Sequence, residues 1–197
     1  MKLLLATGNQ HKLNEVKAIL SPYDIEVLSL KDFDISMDSV IEDGDTYKAN
    51  ALIKVNYLKD KVDIPVIADD SGMEIEDMNN QPGIHSARYA SMYGGHDKAI
   101  EHIEEELKDS KDRKARFICD IALANVTKEP IVFEAIVNGS IAKEMHGKQG
   151  FGYDPIFVPN SYDKTYAELS EEEKNTISHR AKALMMMVSY LKERKII

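Results

Sequence analysis

Four stretches of this chain hold side chains whose types and spacing could do chemistry. Thr7-Gly8-Asn9-Gln10-His11-Lys12 follows the apolar run Leu3-Leu4-Leu5-Ala6. A hydroxyl, a glycine, an amide and a lysine where a strand turns into a helix could cradle a phosphate. A helix N-terminus offers unpaired N–H groups and a partial positive charge. The same residues fit a plain helix cap at Asn9, and the spacing is neither a Walker A loop nor a dinucleotide fingerprint. Asp69-Asp70-Ser71-Gly72 sets two carboxylates just past a short buried strand, where open α/β sheets tend to place their sites. Adjacent carboxylates favour a cation, and oxygen ligands suit magnesium held by one or two carboxylates plus substrate phosphates. An Asp-Gly turn is the plainer alternative. Glu42, in Ile41-Glu42-Asp43-Gly44, is a second acidic loop residue that could reach the same metal.

The third stretch is Gln149-Gly150-Phe151-Gly152-Tyr153-Asp154-Pro155. Glycines on both sides of Phe151 leave an aromatic face open for a base to stack on, and Asp154 could bond a base or ribose edge. Aromatic-glycine turns also occur in ordinary hairpins. The fourth is Ser178-His179-Arg180 with Lys174 four residues earlier, a cationic group in an acidic chain. Arginine suits bidentate recognition of phosphate or carbonyl; the alternative is pairing with the glutamates at 171–173. Magnesium, phosphate and nucleotide together would satisfy all four stretches at once.

These residues need elements to position them. Residues 2–6 read as a buried strand, and Leu13, Val16, Ile19 and Leu20 recur at helical spacing up to Ser21-Pro22. Ile25 to Leu30 reads as a strand, which completes a βαβ unit with a parallel, right-handed crossover. A second helix fits Tyr47, Ala51, Val55 and Leu58, followed by a short strand, Pro65 to Ala68. A third carries Ile100, Ile103 and Leu107. From Ala115 to Lys143 three extended segments read as an antiparallel meander. Ser170 to Glu173 is a capping box. A last helix carries Ala181, Leu184, Met185, Val188 and Leu191, with Met185, Met186 and Met187 as core filler. The expectation is one α/β domain with a mixed sheet over residues 1–197.

Composition limits the partners. The 197 residues carry a formal net charge of −9, which argues against a nucleic-acid polymer or an anionic membrane surface. The lone Cys119 reads as a buried thiol in a reduced, intracellular setting. The opening Met1-Lys2-Leu3-Leu4-Leu5 is too short an apolar run for a secretory leader, and no stretch approaches the roughly 20 residues of a membrane span. A cytoplasmic protein is expected.

With these motifs in order, the chain resembles the house-cleaning inosine/xanthosine triphosphate pyrophosphatases. The resemblance rests on residues 7–12, 68–72, 82–89, 150–157 and 171–180 and covers nearly the whole chain. It implies an elongated two-lobed α/β fold with a central mixed β-sheet flanked by helices and a substrate cleft. It also implies a homodimer, Mg2+ dependence and cleavage of purine nucleoside triphosphates to monophosphate and pyrophosphate. By position, Thr7, Gly8, Asn9, Gln10, His11 and Lys12 contact phosphates, Asp70 accepts a proton and ligates the metal, and Ser71 contacts substrate. Phe151, Gly152, Tyr153 and Asp154 hold base and sugar, while Lys174, His179 and Arg180 complete the pocket. Ala49 stands where the family often has a glutamate, which makes Glu42 the expected second metal ligand. His179 and Arg180 donors would select a 6-oxo purine. A nucleotide-binding module without turnover and a phosphatase working through an aspartyl-phosphate are the competing functions.

Overall fold

The computed structural model describes residues 1–197. The strands are β1 (Lys2–Leu5), β2 (Glu26–Leu28), β3 (Val66–Ile75), β4 (Gln81–Pro82), β5 (Lys114–Ala124), β6 (Ile131–Ile141) and β7 (Phe157–Pro159). The helices are α1 (Gln10–Leu20), α2 (Tyr47–Leu58), α3 (Ser86–Met92), α4 (His96–Glu106), α5 (Glu171–Ile177) and α6 (His179–Glu193). The sheet runs in the order β2-β1-β3-β5-β6-β7, with β4 on β3. It is mixed: β1 is parallel to β2 and β3, while β4 lies antiparallel to β3 and β7 to β6.

Two compact units divide the chain. The first comprises Met1–Asp70, Cys119–Ala135 and His179–Ile197; the second comprises Ser71–Ile118 and Ile136–Ser178. In the first unit the strand residues alternate between two cores. Leu3, Leu5, Ile67, Cys119, Ile121, Leu123, Phe133 and Ala135 join the apolar stripes of α1 and α6. Leu4, Ala6, Val66, Ala68, Ala122 and Ala124 join Ala51, Val55 and Leu58 of α2. This is the period-two alternation of a pleated strand covered on both faces. The second unit has one core, in which Met73, Ile75, Phe117, Phe157 and Tyr166 meet Ala99, Ile100 and Ile103 of α4.

Four expectations need correction. β3 does not stop at Ala68 but runs ten residues to Ile75, so Asp69-Asp70-Ser71-Gly72 lies inside a strand rather than in a turn beyond one. β2 is three residues long, because the Ser29 and Asp32 capping box opens a 3-10 turn at Leu30. The meander has two long strands, since β6 continues unbroken through Ser140-Ile141. The Ser170 capping box opens the short α5, and Ser178, with an extended ψ of 158°, separates it from α6. Of the three methionines only Met187 is in the core, while Met186 is 47% exposed.

Candidate active site

The turn after β1 is organised by its own side chains. Asn9 Oδ1 accepts hydrogen bonds from the His11 and Lys12 amides at 2.9 and 3.3 Å, and Thr7 Oγ1 accepts from the Asn9 amide at 3.1 Å. Asn9 is therefore the N-cap of α1. Gly8, Gln10 and His11 remain exposed. Beside the turn is a cavity of about 400 Å³, lined by residues that include Thr7, Asn9, Leu13, Ser29, Met37 and Asp38. Lys12 reaches from α1 to Asp69, with its ammonium 3.1 Å from Oδ2.

Inside β3 the two aspartates point to opposite faces. Asp69 alternates with Ile67 toward α1 and α6. There the Arg180 guanidinium donates to Asp69 Oδ2 at 2.9 and 3.2 Å and to Glu15 Oε2 at 2.5 Å. Arg180 is 2% exposed and Asp69 1%. Burial alone would raise the Asp69 carboxyl, but Lys12 and Arg180 outweigh it and hold the group well below the usual carboxylate range. Asp69 Oδ2 thus belongs to a charge-matched cluster with Lys12, Arg180 and Glu15.

Asp70 alternates with Ala68 toward α2. Lys54 Nζ lies 3.2 Å from Asp70 Oδ1 and 2.9 Å from Glu42 Oε2, and it donates to the Asp69 carbonyl at 2.7 Å. Asn50 Nδ2 donates to Asp70 Oδ2 at 3.3 Å while its Oδ1 accepts from the Gly44 amide at 2.9 Å. That second bond ties the acidic loop to α2. Burial raises the Asp70 carboxyl despite the pull of Lys54 and Lys12. Lys54 in turn is held above its ordinary value, because Asp70, Asp69 and Glu42 outweigh its desolvation.

Two carboxylates converging on one cation fit a magnesium ion that takes its other ligands from water and phosphate. No group of three or more His, Cys, Asp or Glu side chains is arranged to hold a metal by itself. Within this chain, then, Asp70 and Glu42 are the residues that could hold one.

In the second unit, Asp154 organises the glycine-aromatic turn from within. Its Oδ2 accepts from the Phe151 amide at 2.8 Å and from Lys174 Nζ at 2.6 Å. A Cβ at Gly150 would sit 2.1 Å from that oxygen on a backbone with φ +71°, so only glycine fits there. The Lys174 ammonium stands 5.0 Å from the Phe151 ring centroid. Tyr153 donates from its hydroxyl to the Ser86 carbonyl at 2.7 Å. Ser71, the first residue of this unit, is half-buried in β3 and Gly152 is partly exposed, while His179 at the head of α6 is 4% exposed. The structure thus brings Lys12, Asp69 and Arg180 together, gathers Glu42 with Asp70, and gathers Phe151, Asp154 and Lys174.

Sequence reasoning missed Glu15, Asn50 and Lys54. Asn50 and Lys54 sit within the buried stripe Tyr47, Ala51, Val55 and Leu58 of α2. Polar residues in an apolar stripe were a readable signal.

Residues 3–190 match the model of the Ham1 family. The chain belongs to that family. A Clostridium perfringens protein named dITP/XTP pyrophosphatase is 45% identical over 199 residues, which is 97% of each chain. A Halalkalibacterium halodurans protein of the same name is 45% identical over 190 residues, 95% of this chain and 97% of that one. Among solved structures, the Staphylococcus aureus Ham1 protein matches with a TM-score of 0.86 at 38% identity, covering 98% of this chain and all of the other. A mixed α/β fold with a central sheet flanked by helices is therefore the family's fold as well as this chain's.

Proposed function

We propose that this chain hydrolyses deaminated purine nucleoside triphosphates (ITP, dITP and XTP) to the monophosphate and pyrophosphate, and that it needs Mg2+. The observation that carries the reading is Asp70. It is a buried carboxylate with a raised affinity for protons, set beside Glu42 and Lys54 and within electrostatic reach of Lys12. The names of the full-length relatives point the same way.

Bound magnesium would supply charge neutralisation on the phosphates, held by Asp70 with Glu42. Lys12 and the turn from Thr7 to His11 bind phosphate oxygens. Asp70 orients the water that attacks the α-phosphorus and takes up its proton, a role that suits a carboxyl raised by burial. Ser71 contacts substrate. Phe151, between Gly150 and Gly152, offers its ring to the base, with Tyr153 and Asp154 fixing the turn and Lys174 charging its face. His179 donates toward a 6-oxo group, and Arg180 acts by holding Asp69 and Glu15 in place. A purine with a 6-amino group would face a donor there, and unpaired buried polar groups discriminate by about 10⁴-fold. The reading extends to a homodimer in the cytoplasm with no nucleic-acid polymer or membrane partner; no helix is long and apolar enough to cross a membrane.

A product assay on ITP, dITP, XTP, GTP and ATP, with and without magnesium, tests this. Pyrophosphate release from ITP and XTP that requires magnesium is the expected result. Equal rates on ATP, or orthophosphate as the product, would overturn it. In isotopically labelled water the label should enter the monophosphate, and label in pyrophosphate would exclude attack at the α-phosphorus.

A further inference from the structure

Asp120 lies near the middle of β5, between Cys119 and Ile121, and is 2% exposed. Its Oδ1 is buried and has no hydrogen-bond partner. The other buried aspartates are matched: Asp69 has Lys12 and Arg180, Asp70 has Lys54 at 3.2 Å, and Asp154 has Lys174 at 2.6 Å. An aspartate in the centre of an apolar strand costs stability unless something pairs with it.

Strand alternation shows what lies around it. Ala122 and Ala124 of β5 face α2, so Asp120 faces α2 as well, on the same side as Asp70 of β3. Phe133 and Ala135 of β6 face the other core, which puts Glu134 on the α2 side too. The three carboxylates therefore stand on one face of three neighbouring strands. Glu134 and Asp70 both act electrostatically on Asp120, and Lys48 of α2 is the cation that opposes them. Burial first, then these two carboxylates, push the Asp120 carboxyl up to about 6. Glu134 and Lys48 are exposed, so Asp120 and Asp70 are the two buried carboxylates of this face.

We propose that Asp120 is a further carboxylate of the cation site, accepting a hydrogen bond from water on the divalent ion that Asp70 holds. This rests on the magnesium-dependent reading above. Outer groups of this kind tune metal affinity without touching the metal, and their loss weakens binding by about 10- to 100-fold.

Manganese(II) binding by the full chain, followed by electron paramagnetic resonance with and without imidodiphosphate, tests the assignment. Asp120→Asn is expected to bind manganese about 10-fold more weakly or worse. Its metal-free melting temperature should rise, and its stabilisation by magnesium should shrink. If Asp120→Asn does not fold, Asp120→Ser makes the same comparison. Equal manganese affinity in the wild type and the Asp120 variant overturns this role and leaves the pyrophosphatase reading standing. No manganese binding by the wild type in either condition overturns both.

Discussion

Asp69 and Asp70 are neighbours in one strand, yet they belong to two differently built faces of the sheet. On the side of α1 and α6, Asp69 and Glu15 meet Lys12 and Arg180, two carboxylates against two cations, with only Lys12 partly exposed. On the side of α2, Asp70 meets Lys54 and Glu42, with Asp120 close enough to act on it, and negative charge is in excess. A charge-matched buried cluster locks a fold together, whereas a mismatched one is complete only when a ligand brings the missing charge. A pair of residues that looks in the sequence like one feature thus faces two environments, and the proposed chemistry belongs to only one of them.

The largest test of this contrast is Arg180→Met. It takes the guanidinium from Glu15 and leaves Asp69 to Lys12 alone, and it should cost about 3–5 kcal/mol of unfolding free energy in a urea titration. A loss below about 1 kcal/mol would mean that the ion cluster does not fasten that face. Asp70→Asn should do the reverse, lowering kcat by about 10²–10³-fold while the fold persists, as expected when a group acts mainly in the transition state. Steady-state rates beside a thermal melt separate the two outcomes, and an active Asp70→Asn enzyme would break the comparison. Asn50→Ala removes the amide that joins Asp70 to the Gly44 backbone, at a cost of about 1–2 kcal/mol. Its KM for magnesium-nucleotide should rise, whereas a purely structural role would leave KM unchanged.

The subtlest test is pH. The Asp69 carboxyl is held below its ordinary value of about 3.9. Its contribution is therefore present above that pH and is lost as acid approaches the folded-state value. The Asp70 carboxyl is raised, so its charged form costs stability above the folded-state value, and that cost disappears as the pH falls toward about 4. Melting temperatures from pH 3 to 7 should show the gap between wild type and Asp69→Asn narrowing in acid as stability is lost. The relative gain of Asp70→Asn should fade over the same range. Gaps of the same sign would contradict the division of labour.

Much of this was legible in the residues. The helical spacing of Leu13, Val16 and Ile19 located α1, and the capping box at Ser170 and Glu173 located α5. The Asn9 cap and the glycines around Phe151 were readable because they are local. What the sequence concealed depended on distant partners. Nothing near Asp69 reveals that Arg180, 111 residues away, will neutralise it. A two-residue acidic pair also reads as a turn unless the strand is known to run through it. Asp120 was passed over because the apolar run from Ile118 to Ala124 makes a strand whether or not one member is charged.

The loop bearing Glu42 touches α2 where both sides are small. A Cβ on Gly44 would come within 2.7 Å of the Ala49 Cβ and 2.8 Å of Asn50 Oδ1. Position 44 therefore has no room for a side chain while the loop keeps this place. A side chain at 44 would have to move the loop, and with it the acidic group at 42, which ties the place of the proposed metal ligand to a residue that ligates nothing.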